Sequence, residues 1–238
     1  DLAGLSAEQV AGLSSTQIGT FTTSQIGRFT GTQVSAIETR DIHGLLTMQI
    51  AAFDSQQISS LTLEQLDVVR TSQIRAIETR DLGGLTEIQM AALNSAQIGA
   101  FTTLQITGLN SVQISAIETR DLAALSTAAI QAITTRDITG LSIEQMSALN
   151  TRQIAVFTTS QISILSGDQL AAIETRDITG LTATQITGLN SQQINGLTSI
   201  QFSVFSTAQI RAIESLDLRG LWEDQIAALN SRQFAAFT

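Results

Sequence analysis

The sequence predicts an all-α solenoid in which each of about thirty short, capped helices occupies one eight-residue repeat. Three observations carry this expectation. Two apolar positions recur every eight residues without a break, a helix-start signature stands between them, and their spacing suits neither one long helix nor a strand.

From Leu2 in steps of eight to Phe234, all 30 positions are large and apolar, and from Leu5 to Phe237 the count is again 30 of 30. Nothing interrupts the frame. Residues 1–238 therefore read as a single continuous array with no linker, and as one stretch of a longer array. Asp1 holds the place that Asp41 holds in its repeat, Thr238 is a cap with no helix after it, and neither end carries a polar capping repeat.

Between the anchors the pattern is equally regular. The residue after each second anchor is serine or threonine in 16 octads, asparagine or aspartate in 6 and glutamate in 5, the exceptions being Leu46, Arg70 and Trp222. Three residues on stands glutamine in 22 octads, aspartate in 7 and Ala129 once. Serine or threonine followed by glutamine at this distance is a capping box: the hydroxyl accepts from the N3 amide while the N3 side chain reaches back to the N-cap amide. The flanking anchors then fall where a hydrophobic staple joins N′ to N4, as with Phe21 and Ile26 around Thr22 and Gln25. Each octad encodes a helix start, so each helix runs little more than a turn.

A single continuous helix would let the apolar stripe drift by roughly 80° per octad and wrap the whole cylinder. A β-solenoid is the stronger alternative, since isoleucine, threonine and phenylalanine suit strands. Against it, anchor spacings of three and five are odd, whereas inward positions on a strand are an even number apart. Helices this short are marginal alone, so stacking must supply the stability. Glycine or alanine precedes the second anchor in 23 of 30 octads and would let coils approach closely, which predicts that Ala92→Leu is worse than a change at Ser95.

Composition narrows the function. The 238 residues include no cysteine, no tyrosine and one histidine, and all twelve basic residues are arginine. Nearly every usual nucleophile, proton shuttle and zinc-ligand set is missing, so no enzyme activity and no cofactor is expected. A formal charge of -9 argues against a nucleic-acid partner. No run of 18 apolar residues is present, so no membrane insertion is expected.

A second rhythm of 40 residues lies over the octads. Glu-Thr-Arg-Asp supplies Glu38, Arg40 and Asp41; Glu78, Arg80 and Asp81; Glu118, Arg120 and Asp121; and Glu174, Arg176 and Asp177. Weaker copies supply Arg136 and Asp137, and Glu214 and Asp217. Asparagine or aspartate caps stand 16 residues after these motifs, with Asn110 alone out of place, and one unit is shortened to two octads between Glu118 and Thr134. If five octads made one coil, the motifs would stack into a ladder with Arg40 near Glu78 and Asp81. If the 40-residue unit is only a duplication unit, they need not meet. Each copy has an arginine beside two acids, the arrangement of a self-neutralising structural row rather than of a calcium loop. The uncompensated copy is at Glu214, where Leu216 replaces arginine.

His43 reads as a surface residue, and Trp222 as a ring lying over the coil below. The pairs Thr22-Thr23, Thr102-Thr103 and Thr158-Thr159 read as a cap followed by a tolerated N1 residue, with an ice- or mineral-facing surface as the alternative.

Stretches such as Leu181 to Leu197 and Phe21 to Phe29 resemble the tandem octapeptide tracts of very large bacterial secreted or cell-surface repeat proteins. The resemblance covers the chain in repeat style and transfers no functional residue. It implies an extended stalk, spacer or adhesive surface of an extracellular bacterial protein, with an unidentified protein or cell-surface partner and end-to-end self-association. The alternative is a binding module or scaffold/effector presenting a face to a peptide, glycan, mineral or ice.

Overall fold

The computed structural model describes residues 2–237, so the expectations placed on Asp1 and Thr238 lie outside the described residues. It divides into two compact units, Asp1–Leu125 and Ser126–Thr238. The chain belongs to the all-α class: among the described residues it forms twenty-four short α-helices and six 3-10 helices, one for each octad, and no strand. The β-solenoid alternative is thereby excluded.

The local reason is visible in any typical octad. Thr22 sits in an extended conformation, with φ -72 and ψ 158, and its hydroxyl accepts from the Gln25 amide while Gln25 Oε1 accepts from the Thr22 N–H. These reciprocal bonds start the helix Thr23–Ile26. The second anchor ends it, because Phe29 N–H closes a final turn on the Ile26 carbonyl and the next residue, Thr30, is again extended. Six-residue helices such as Glu87–Ala92 stop in the same way, with Leu93 extended at ψ 135.

Both anchors of nearly every octad are buried within their unit, the first sets typified by Ile18, Ile58 and Ile98 and the second by Leu45, Phe53 and Leu93. Stacked helices come from octads three apart: Ser55–Ser59 lies against Thr79–Gly84, Leu63–Asp67 against Glu87–Ala92, and Gly167–Ala172 against Ser191–Gly196. Hydrogen bonds reach four octads back, as shown below. One coil therefore holds between three and four octads. The five-octad coil is ruled out, and with it the charged ladder that such a coil would have made, which leaves the 40-residue period as the alternative duplication unit.

Close approach of coils depends on glycine at particular places. A Cβ built on Gly44 would collide with the Ser15 carbonyl, one on Gly84 with the Ser55 carbonyl, and one on Gly196 with the Gly167 backbone. Ala92 and Ser95 are both exposed, so burial does not rank the two positions, and the Ser95 hydroxyl reaches the buried carboxylate of Asp121. A small residue is needed only where the pre-anchor position meets backbone of the coil beneath.

The charged octads depart from the capped pattern. Thr39–Gly44, Thr79–Gly84, Ile138–Gly140, Ile178–Gly180 and Asp217–Gly220 are 3-10 turns, and none has a side-chain cap hydrogen bond. Each has aspartate in place of glutamine. An ionised carboxylate has no hydrogen to donate, so these octads cannot make the bonds that the glutamine octads make between coils.

Candidate functional site

Two polar systems run through each unit, a buried row of glutamines and the charged motifs. Gln57 illustrates the first. Its backbone N–H donates to Asp54 Oδ1, its Oε1 accepts from the Asp54 N–H, and its Nε2 donates to the carbonyls of Ile26 at 3.0 Å and Phe29 at 2.7 Å. The same pair of bonds, 31 and 28 residues back, recurs from Gln49 to Ile18 and Phe21, from Gln105 to Ile74 and Ile77, from Gln193 to Ile162 and Leu165, and from Gln233 to Phe202 and Phe205. These glutamines are almost fully buried. Every polar atom of the side chain is used, and each amide ties its octad to the two anchors of the coil below.

This second use of glutamine is absent from the sequence reading, which assigned it to capping alone. A signal was present. Glutamate serves the N3 position of a cap as well as glutamine, yet no octad of this acidic chain has glutamate there.

Within the charged motifs, each arginine bridges its own two acids. Arg40 Nη2 lies 2.5 Å from Glu38 and its Nε 3.3 Å from Asp41. The equivalent distances are 2.8 and 3.1 Å for Arg80 with Glu78 and Asp81, and 2.7 and 3.5 Å for Arg120 with Glu118 and Asp121. Arg176 Nε lies 2.9 Å from Glu174 and 3.0 Å from Asp177. The arginines are three-quarters exposed and the aspartates almost wholly buried, at 77 and 8 % for Arg40 and Asp41. The hydrogen bond to Asp81, with the charges of Glu78 and Asp81, raises the pKa of Arg80 above its ordinary value, and Asp177 and Glu174 do the same for Arg176. The structure joins residues within a motif, and among the described residues no ion pair links one motif to the next within a unit.

Each buried carboxylate has its own donor. Asp41 accepts from the Ser15 amide at 2.7 Å, Asp121 from the Ser95 hydroxyl, Asp177 from the Thr151 hydroxyl at 2.5 Å and Asp217 from the Ser191 hydroxyl at 2.7 Å, all 26 residues away. Asp137 accepts from the Thr134 hydroxyl, and Arg136 forms no ion pair among the described residues. Glutamine octads thus donate to the coil below, and the octads of Asp41, Asp121, Asp177 and Asp217 accept from it. No group of three or more metal-ligating side chains occurs among the described residues.

Two residues that replace a cap also bind the neighbouring coil. Arg70 Nη2 donates to the His43 carbonyl at 2.7 Å and Trp222 Nε1 donates to Asn195 Oδ1, each across 27 residues. His43 itself is exposed, and no helix among the described residues is long and apolar enough to cross a membrane.

Octads that stack through buried anchors and a shared amide define a tandem-repeat helical solenoid as the class of protein. The ALTTAQ repeat matches residues 1–30, 34–71, 74–111, 114–151 and 170–207, and the chain belongs to that family. A search of the curated proteins finds no match.

Proposed function

We propose that the chain is a non-enzymatic structural repeat protein, a solenoid stalk, spacer or adhesive surface of a bacterial secreted or cell-surface protein. The observation that carries this reading is how the polar residues are spent. Glutamine amides and aspartate carboxylates that could have served chemistry are buried and committed to joining coils. A repeat whose recurring polar residues are structural has a length that scales with copy number. Small-angle X-ray scattering of variants carrying one or two extra copies of residues 41–80 tests this. The maximum dimension should grow by an equal step per added copy, and an unchanged dimension would overturn the reading.

One observation favours a binding module instead. Leu63, Ile88 and Val112 are all exposed, and their helices, Leu63–Asp67, Glu87–Ala92 and Ser111–Ala116, are stacked in succession. Capture of a peptide or glycan by the wild type and loss of that capture in Ile88→Ser would support this second reading.

A further inference from the structure

One column of stacked helices in the first unit turns apolar and acidic side chains outward together. Leu63, Ile88 and Val112 are 42, 69 and 48 % exposed on the helices Leu63–Asp67, Glu87–Ala92 and Ser111–Ala116, which stack in succession. Glu64 and Glu87 stand next to them in the chain, both exposed and without an ion pair among the described residues. The fold does not ask for this. The equivalent positions of the stacked helices Thr47–Ile50, Thr71–Ile74 and Ser95–Ile98 hold Met48, Ser72 and Ala96, of which only Met48 is large and apolar. Exposed apolar residues scattered singly need no explanation, whereas a run along successive coils marks a contact surface.

Negative charge gathers on the same column. Thr39–Gly44 lies against Leu63–Asp67, and a cleft of about 520 Å³ opens there, lined in part by Glu38, Arg40, Thr62 and Glu64. Arg40 is shared by Glu38 and Asp41, so one negative charge is left over, and Glu64 adds another. The Glu64 carboxylate keeps its charge, because its own backbone N–H and the Thr62 hydroxyl hold its pKa below the ordinary glutamate value.

We infer that this column docks a basic amphipathic helix of a partner protein, with apolar side chains on Leu63, Ile88 and Val112 and lysine or arginine on Glu64 and Glu87. Such docking rests on the binding-module reading and names its partner. Charge selects a basic partner over a second copy of this acidic chain and over an anionic lipid surface. Spacing selects a helix. Packed helices lie about 8–10 Å apart, and an α-helix rises about 10.5 Å in seven residues, so a helix laid along the column returns the same face to each successive coil. An extended strand covers that step in about three residues, an odd number, so alternate side chains would turn away. The cleft beside Glu64 has room for one long basic side chain.

A labelled synthetic helix with leucine at every seventh position and lysine on both sides of the leucines tests this by fluorescence anisotropy against the whole chain, beside a scrambled peptide of the same composition. The designed helix should bind and the scrambled peptide should bind more weakly. Ile88→Ser should weaken binding about tenfold, the worth of one large apolar contact. Glu64→Gln/Glu87→Gln should weaken it about three- to tenfold, a gap that narrows with added salt. Met48→Ser, on the other column, should change nothing, and circular dichroism checks that each variant keeps its helices. A wild type that does not bind the designed helix, equal binding of the scrambled peptide, undiminished binding by Glu64→Gln/Glu87→Gln, or a loss in Met48→Ser equal to that in Ile88→Ser would each overturn the inference. If Ile88→Ser still loses a captured peptide or glycan in those cases, the binding-module reading survives without this partner.

Discussion

Gln105 donates its side-chain amide to the carbonyl of Ile77 at 2.8 Å, across 28 residues of sequence. With the companion bond to Ile74, it makes the amide nitrogen the joint between coils, while the oxygen of the same side chain starts the local helix. Backbone–backbone bonds within each unit are local, so side chains carry the polar contacts between coils.

That division of labour predicts that Gln105→Glu is not conservative. The cap survives, since glutamate accepts from the Thr102 amide as glutamine does, but a carboxylate is pressed against two carbonyls. The cost at neutral pH is about 3–5 kcal/mol, the range for an uncompensated buried charge. Burial raises the folded-state pKa of the new acid, so the penalty should shrink as pH falls and the group protonates into a donor. Denaturant melts of Gln105→Glu and the wild type at several pH values check both parts, and equal stability at neutral pH would refute the joint.

Adjacent glycines should behave oppositely. A Cβ on Gly84 strikes the Ser55 carbonyl, whereas one on Gly83 meets nothing. Gly84→Ala should destabilise by about 1–3 kcal/mol through overpacking, and Gly83→Ala should be neutral or stabilise by up to about 1 kcal/mol through the unfolded chain. Thermal melts of the two variants decide this.

The hydroxyl partners of the buried acids should matter more than the arginines that cover them. Ser95→Ala leaves Asp121 without its hydrogen-bond donor and should cost about 1–3 kcal/mol. Arg120 is three-quarters exposed, and an exposed pair is worth about 0–1 kcal/mol. Urea titrations of Ser95→Ala and Arg120→Ala should therefore rank the serine first.

Glu144 provides a pH test at the surface. Its own backbone N–H and the Ser142 hydroxyl hold its pKa below the ordinary glutamate value. A depressed folded-state pKa means stability that is present at neutral pH and lost as pH falls through that value. The Tm gap between the wild type and Glu144→Gln should be present at pH 7 and close in acid.

Much of this architecture is legible in the sequence because its causes are local. Thr22 and Gln25 are three residues apart, and the alternation of anchors at Ile26 and Phe29 repeats without error. The number of octads per coil is not legible, because every octad presents the same anchors and any stacking period buries them equally well. The partners that fix it, Ile77 for Gln105 and Ser95 for Asp121, are distant in sequence. One trace does survive. Asn-Ser or Asn-Thr at 94–95, 150–151 and 190–191 stands so that the hydroxyl residue is 26 positions before Asp121, Asp177 and Asp217.

The uniform glutamine joint has a genetic consequence. An octad gained or lost by slippage during DNA replication still leaves each downstream glutamine facing two anchor carbonyls, because every octad supplies the same pair. Copy number can drift in steps of eight codons while the coils remain joined, and the aspartates that take a donor 26 residues upstream, as Asp177 and Asp217 do, are the places where such drift changes a partner.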